Sequence, residues 1–446
     1  MVGEASSIPE PEVHVEGQRS PEGTPGRVEG GRLRSLAAGL TSLVAFTATS
    51  LVAGPAVAAS SAGPCALPRT QAHHSLGLDS WNSSYPQPTE RLDAVMIFLS
   101  FPDSVPLTSP QELAADHFPA TSDFFRRASY GKFLLRAHPQ TEWVRMPKAS
   151  VVYDIRRDWD PELRAAYLRD AIDAADDDVD FSRYDVVYLV ADPDAPGVDS
   201  DATKVVNFDR PLSTDGAEIR RVVTVFERHP PDRNVLAHET GHVFDLPDLY
   251  HRPQDGGFGD WDTHVGDWDV MGSQFGLAPD LFGWHKWKLG WLGRAEVRCV
   301  NGPDEAPRAA GPPGGREIVT LEPLAAAPVR GGSVGTRLAV VRTGHNSVLA
   351  IEARSATGND ALACTEGVLL YRVQGEAASG DGPIEVVDTH PETEACGDES
   401  VYPPLADAPL RVGETFTMPG PPGGRTRVEV ADRTATGAWT VKITTA

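Results

Sequence analysis

The stretch His238-Glu-Thr-Gly-His-Val-Phe-Asp-Leu-Pro-Asp248 decides how the middle of the chain folds. It predicts a helix from about Asp232 to about Phe244, with the Asp232 carboxylate as its cap. The helix has to stop before Pro247, because the residue that precedes a proline avoids helical angles. Asp248 therefore follows a forced change of chain direction and can fold back towards the helix.

Two histidines of this helix stand four residues apart. The imidazoles of His238 and His242 leave one helix face about 40° apart, so both can reach one ion. Glu239 is offset by about 100° and points beside that ion, where a base can take a proton from a water molecule. Zinc accepts histidine and carboxylate ligands and keeps an open position for hydrolysis. We predict one catalytic zinc held by His238, His242 and Asp248, with Glu239 as the general base.

Other residues could supply the third ligand. Asp245, His251 and Asp262 are the alternatives to Asp248, and a solvated helix face is the alternative to the whole pattern. A cluster of aspartates also follows the helix, at positions 255, 260, 262, 267 and 269. It is a candidate calcium site, but it has no fixed ligand spacing, and a solvated acidic loop explains it at least as well.

Several motifs resemble those of a known family. His238–Tyr250 resembles the active-site stretch of the immune inhibitor A family of secreted bacterial zinc metallopeptidases. Trp268-Asp-Val-Met-Gly-Ser273 resembles the family's downstream segment, whose methionine forms a turn beneath the metal. Further similarity lies at Phe98-Leu-Ser-Phe-Pro-Asp103, at Ser129-Tyr-Gly-Lys132, at Tyr184–Val190 and at Leu281–Leu292.

The resemblance covers about residues 92 to 292 and carries several expectations. It implies a zincin-like catalytic domain in which the two histidines hold zinc and Glu239 is the base, and it implies protein or peptide substrates. The chain departs from the family at Asp245, where the family usually has glycine in a turn that favours a left-handed backbone.

The chain divides into four predicted segments. Residues 1–58 combine a disordered leader with an export signal, because an apolar run from Leu36 to Val57 follows two arginines and ends in small residues. We predict cleavage after Ala58; a membrane anchor is the alternative. Residues 59–91 are predicted to be a linker or a short propeptide, 92–295 the catalytic domain, and 296–446 a small antiparallel β domain.

Alternating strand and helix patterns predict an α/β (α+β) catalytic domain. The predicted strands are 94–101, 184–190 and 221–226, and the predicted helices besides the active-site helix are 109–130 and 161–175. The strand 221–226 precedes the active-site helix, so we expect it to line the cleft and to pair with an extended substrate. Beyond Leu292, short β runs at 337–342, 367–372 and 440–444 are separated by Gly- and Pro-rich stretches, and no cluster of candidate catalytic residues stands out.

Four cysteines favour two disulfides in an exported protein. Of the three possible pairings we favour Cys364 with Cys396, which closes the shorter loop, and Cys65 with Cys299. As an alternative, Cys65 could ligate zinc in a latent form.

The formal charge of −23 predicts the classes of partner. Such a surface repels nucleic acid and anionic membranes, so we expect neither nucleic acid nor a stable membrane partner. The sequence therefore predicts a secreted zinc endopeptidase. The alternatives are a non-catalytic extracellular binding module on the same scaffold and a metal hydrolase acting on another bond. A serine hydrolase is disfavoured, because Ser273 lacks the Gly-x-Ser-x-Gly setting.

Overall fold

The computed structural model describes residues 63–214, 216–253, 260–300, 315–327, 335–419 and 424–446. The predicted leader and export signal lie outside these residues. The part from Ala58 to Ala446 is one compact unit, and it is a mixed α/β structure with several sheets and few helices. Among the described residues, no helix has the length and apolar character needed to cross a membrane.

The described helices are short. They are α1 (Pro110–His117), α2 (Ala120–Ala128), α3 (Ser150–Tyr153), α4 (Pro161–Ala175), α5 (Val235–Val243), α6 (Gly283–Lys288) and α7 (Pro403–Ala406).

The described strands form three sheets. They are β1 (Glu90–Ser100), β2 (Phe133–Arg145), β3 (Val186–Ala191), β4 (Lys204–Thr214), β5 (Ala217–Val225), β6 (Val297–Val300), β7 (Arg316–Leu321), β8 (Leu338–Arg342), β9 (Ser347–Arg354), β10 (Gly367–Gln374), β11 (Ile384–Val386), β12 (Thr415–Pro419), β13 (Arg425–Arg433) and β14 (Trp439–Thr445).

The first sheet has the strand order β2-β1-β3-β5-β4. Its strands are parallel except for β4, which runs antiparallel to β5. Both faces are covered, because alternate residues of β1 enter two different cores. Val95 and Ile97 pack in the core that contains α4, whereas Met96 and Phe98 pack in the core that contains α2 and α5. Helix α5, which contains His238 and His242, therefore lies on the α2 face of this sheet.

The prediction that the strand at 221–226, most of which lies in β5, pairs with an extended substrate is wrong. β5 pairs with β3 on one side and with β4 on the other, so its backbone groups are already used. Within the described residues β4 is the last strand of the sheet. The free edge next to α5 therefore belongs to β4.

The single helix predicted over 109–130 is two helices. Ser109 caps α1, since its hydroxyl accepts from the Glu112 N–H. Pro119 then separates α1 from α2, because proline has no N–H to continue the hydrogen-bonded ladder. By contrast, the helix predicted over 161–175 has the observed bounds of α4.

The C-terminal region consists of two stacked sheets. One has the order β11-β10-β9-β8-β6 and is antiparallel except for the parallel pair β6 and β8; the other, β12-β13-β14-β7, is antiparallel throughout. Alternate residues of β9 face opposite ways: Leu349 and Ile351 pack against the second of these sheets, and Val348 and Ala350 join the core around α5. The C-terminal sheets therefore pack directly against the part of the chain that holds the site.

Both favoured disulfides are present. Cys65 pairs with Cys299 and Cys364 with Cys396. Cys65 is therefore not available as a zinc ligand, and the latent form in which it binds metal is wrong. The segment that begins at Gly63 is also packed into the core, where Leu67 and Leu76 are buried.

Candidate metal centre

The helix α5, which carries the two candidate histidine ligands, is fixed at both ends. It begins at Val235, later than predicted: Asn234 is the cap residue, in a left-handed conformation, and the Asp232 side chain does not cap it. In its middle, the Thr240 hydroxyl lies 2.8 Å from the Tyr188 hydroxyl of β3. At its end, Asp245 adopts a left-handed conformation with φ of 62°. This is the left-handed backbone that was expected at Asp245, because the resembling family usually has glycine at this position. It turns the chain back towards the helix.

The returning chain brings three ligand atoms together. Asp248 Oδ1 lies 3.0 Å from His242 Nε2 and 3.5 Å from His238 Nε2. His238, His242 and Asp248 form a group whose possible ligand atoms all lie within 4.8 Å of one another. We call these three residues the metal group. Of the four candidates for the third ligand, the structure thus places Asp248 beside both histidines.

The donor set fits zinc in its chemistry as well as its spacing. His238 Nδ1 lies 2.8 Å from the Val270 carbonyl oxygen, and His242 Nδ1 lies 2.8 Å from the Leu246 carbonyl oxygen. Each Nδ1–H therefore donates to the backbone and leaves the Nε2 lone pair directed at the shared point. Carbonyl groups behind ligating histidines are typical of zinc sites, because they fix the tautomer and the ring orientation.

Asp248 is held by a residue from the C-terminal region. The Ser379 hydroxyl donates to Asp248 Oδ2 over 2.9 Å and accepts from the Asp248 N–H over 2.8 Å. The Gly380 N–H donates to the Asp248 carbonyl oxygen over 3.0 Å. Oδ2 is thereby occupied, and Oδ1 faces the histidines. No sequence motif marked Ser379, which is 131 residues from Asp248.

Replacing Ser379 with Ala is expected to weaken zinc binding by about 10–100-fold, the usual effect of removing a group that orients a ligand. The measurement is competition with a chromophoric zinc chelator, which does not depend on activity. Ser83→Ala is the control, because Ser83 is exposed. An unchanged zinc affinity would show that Ser379 does not position Asp248.

Glu239 lies next to the metal group in a dry environment. Only 8% of the residue is exposed. Burial raises its pKa above the usual range, and the neighbouring His238 and His242 partly oppose that rise. A carboxylate with a raised pKa accepts a proton more readily than an ordinary one, as a general base must.

Burial and Asp248 have opposite effects on the pKa of His242. Burial would lower it, but the charge and the hydrogen bond of Asp248 raise it to about 9. Metal binding at His242 Nε2 therefore competes with protonation of this imidazole.

Met271 lies beneath the helix. A Cβ atom at Gly241 would overlap the Met271 sulfur, so only glycine permits this contact. The Met271 carbonyl oxygen accepts from the Leu249 N–H over 2.9 Å. The methionine turn therefore supports both the helix and the returning segment that carries Asp248.

Asp245 is the centre of a buried charge cluster. Its carboxylate lies 2.9 Å from an Arg69 nitrogen, 3.1 Å from His74 Nδ1 and 3.3 Å from Lys288 Nζ. The His74 ring also stacks on His242, with 5.6 Å between ring centres. Asp245 is thus engaged elsewhere than in the metal group, and it ties the N-terminal segment to the turn that follows α5.

The other candidate ligands lie outside the group. The His251 ring packs against His264, and Asp262 lines the cleft without joining the two histidines. Asp267 and Asp269 accept hydrogen bonds from protein donors. In the described residues no second group of potential ligands meets the same distance limit, and position 255 of the candidate calcium cluster lies outside them.

A cleft of about 380 Å³ adjoins the metal group. Its lining includes His238 and Glu239 and several acidic residues. Burial raises the pKa of Asp262 to about 6, and the nearby carboxylates of Asp260 and Asp267 contribute to the rise. Burial likewise raises the pKa of Glu227. The cleft is therefore an acidic space directly beside the metal group.

Comparison with known proteins adds no relative. No protein-family model matches the chain, and no curated protein matches it significantly.

Proposed function

We propose that the chain is a secreted zinc-dependent endopeptidase with a zincin-like catalytic domain, of the immune inhibitor A type. The observation that carries the proposal is the convergence of His238, His242 and Asp248, with buried Glu239 beside them. Two nitrogen ligands and one carboxylate leave a zinc ion one open position, which is the composition of a hydrolytic site rather than of a closed structural one.

Zinc bound at this site would act as a Lewis acid, polarising the scissile carbonyl and acidifying a water molecule. Glu239 takes the proton of that water and then passes it to the leaving amine. Its burial supports the first of these steps, because a buried carboxylate accepts a proton more readily than a solvated one. The carbonyl groups behind His238 and His242 keep both rings in place throughout.

The free edge of β4 supports the proposal that the substrate binds in an extended conformation. The Val205 N–H of this strand donates to Glu239, which places the start of the edge next to the proposed base. A peptide that pairs with β4 would present its backbone to the metal group, with alternate side chains pointing into the cleft.

Two disulfides and the acidic surface support a place outside the cell, where disulfides persist. We propose that residues 1–58 direct export and are removed. Mass spectrometry of the secreted protein tests this, and the expected mature chain begins at Ala59.

The full exported chain is expected to contain one zinc per molecule and to hydrolyse casein, with loss of cleavage on adding a chelator. Metal content and casein hydrolysis would be measured on the same sample. Zinc without cleavage would favour the non-catalytic binding module. Absence of zinc would contradict the proposal.

A further inference from the structure

The cleft beside the metal group has an unbalanced charge. Its lining contains five carboxylates, Glu239 included, and a single guanidinium, that of Arg157. Arg157 is exposed and stacks over the Trp261 ring, 4.8 Å from its centre. The four carboxylates besides Glu239 belong to Asp201, Glu227, Asp232 and Asp262.

These four carboxylates have no cationic partner in the described part of the chain. No nitrogen of a lysine, arginine or histidine there lies within 4.0 Å of them. Two of them accept hydrogen bonds from neutral donors: the Gln274 amide donates to Asp232 over 3.1 Å, and the Asp232 N–H donates to Glu227 over 3.3 Å. Surface carboxylates elsewhere often pair with cations, as Asp170 does with Lys148. The negative charge of the cleft is left for a ligand to neutralise.

The same cleft also offers apolar surface. Phe275 is 48% exposed, which is unusual for a phenylalanine, and it lines the cleft together with buried Val235. A long side chain with a methylene stem and a cationic end fits this combination, because the stem packs on apolar groups while the charge meets the carboxylates.

We propose that this cleft is a specificity subsite for a lysine or arginine side chain of the substrate, so that the enzyme cleaves next to a basic residue. The inference rests on the proposed peptidase function and adds the substrate class. The cleft shares its wall with His238 and Glu239, so the side chain that enters it belongs to a residue adjoining the scissile bond.

The test uses quenched fluorogenic peptides in which Lys, norleucine and Glu are moved through the positions around one cleavable bond. At one position, kcat/KM for Lys is expected to exceed that for Glu by about 10-fold or more, with norleucine between them. The preference should weaken as salt is added, because the subsite is open to solvent. Equal rates for Lys and norleucine at every position would overturn the proposal.

Two variants test whether the carboxylates of the cleft cause the preference for lysine. Asp232→Asn and Asp262→Asn are each expected to lower the Lys-to-norleucine ratio by about 3-fold or more, because each removes one carboxylate from the cleft. Asp177→Asn is the matched control; it removes the same charge from an exposed position beyond α4 and should leave the ratio unchanged. If the Lys-to-norleucine ratio falls equally in all three variants, the proposed subsite is wrong and the preference comes from the overall charge of the protein.

A binding measurement separates this inference from the proposed function. Fluorescein-labelled Lys and norleucine peptides are titrated with zinc-loaded Glu239→Gln protein and followed by anisotropy. Tighter binding of the Lys peptide supports the subsite even if no peptide is cleaved by the wild type, an outcome that would contradict only the peptidase. Equal binding overturns the subsite even if the chain proves to be a peptidase.

Discussion

Replacing Glu239 with Gln is expected to lower kcat on a peptide substrate by about 10²–10⁴-fold, the usual contribution of a general base. Glutamine has nearly the same shape but cannot take up a proton. Zinc content should stay at one per chain, because Glu239 is not part of the group formed by the two histidines and Asp248. Peptide hydrolysis and metal analysis on one preparation check both expectations.

Glu392→Gln is the control for that variant, since Glu392 is exposed. It should match the wild type in both kcat and zinc content. A Glu239→Gln protein that still cleaves would show that another group is the base. One that loses its zinc would show that Glu239 supports metal binding instead.

The second large effect is expected at Asp245, on stability. Asp245→Asn should reduce the free energy of unfolding by about 3–5 kcal/mol, because it leaves the buried charge of Lys288 and the partly buried charge of Arg69 without their carboxylate. Asparagine tolerates the left-handed backbone, so the loss reports on charge rather than on strain. Denaturant unfolding followed by fluorescence measures it.

Asp154→Asn is a closely matched control. Asp154 also has a left-handed backbone, with φ of 48°, and it pairs with Arg156 on the surface at 2.7 Å. An exposed pair contributes little, so a loss below about 1 kcal/mol is expected. Equal losses in the two variants would contradict the assigned importance of the buried cluster.

The stability of the protein should depend on pH through the carboxyl group of Asp245. Burial alone would raise the pKa of Asp245, but the hydrogen bond from His74 and the charges of Lys288 and Arg69 lower it from 3.8 to about 2. A group with a lowered pKa in the folded state contributes stability above its unfolded pKa and loses it on acidification. Between pH 4 and pH 2 the wild type should therefore lose about 2 kcal/mol that Asp245→Asn does not lose.

Local patterns predicted the interior of the first sheet and missed its edges. β1, β3 and β5 are dense in apolar residues and were predicted, whereas β2 and β4 were not. These two edge strands contain Pro139 and Pro211 and many polar residues. Proline and charge are tolerated at a sheet edge, where backbone groups need no partner and side chains meet water. An edge strand is therefore hard to distinguish from a loop without knowing what lies beside it.

The sequence by itself determined the two histidines and Glu239 of the candidate site, because their spacing acts through the helix period alone. It also predicted the disulfide pairing and the left-handed turn at Asp245, and both are present. Only the tertiary structure decided which groups surround that helix. Ser379 reaches Asp248 across 131 residues, and His74 reaches Asp245 across 171 residues. Hydrogen bonds and ion pairs of this kind depend on which surfaces pack together, and no periodicity along the chain encodes them.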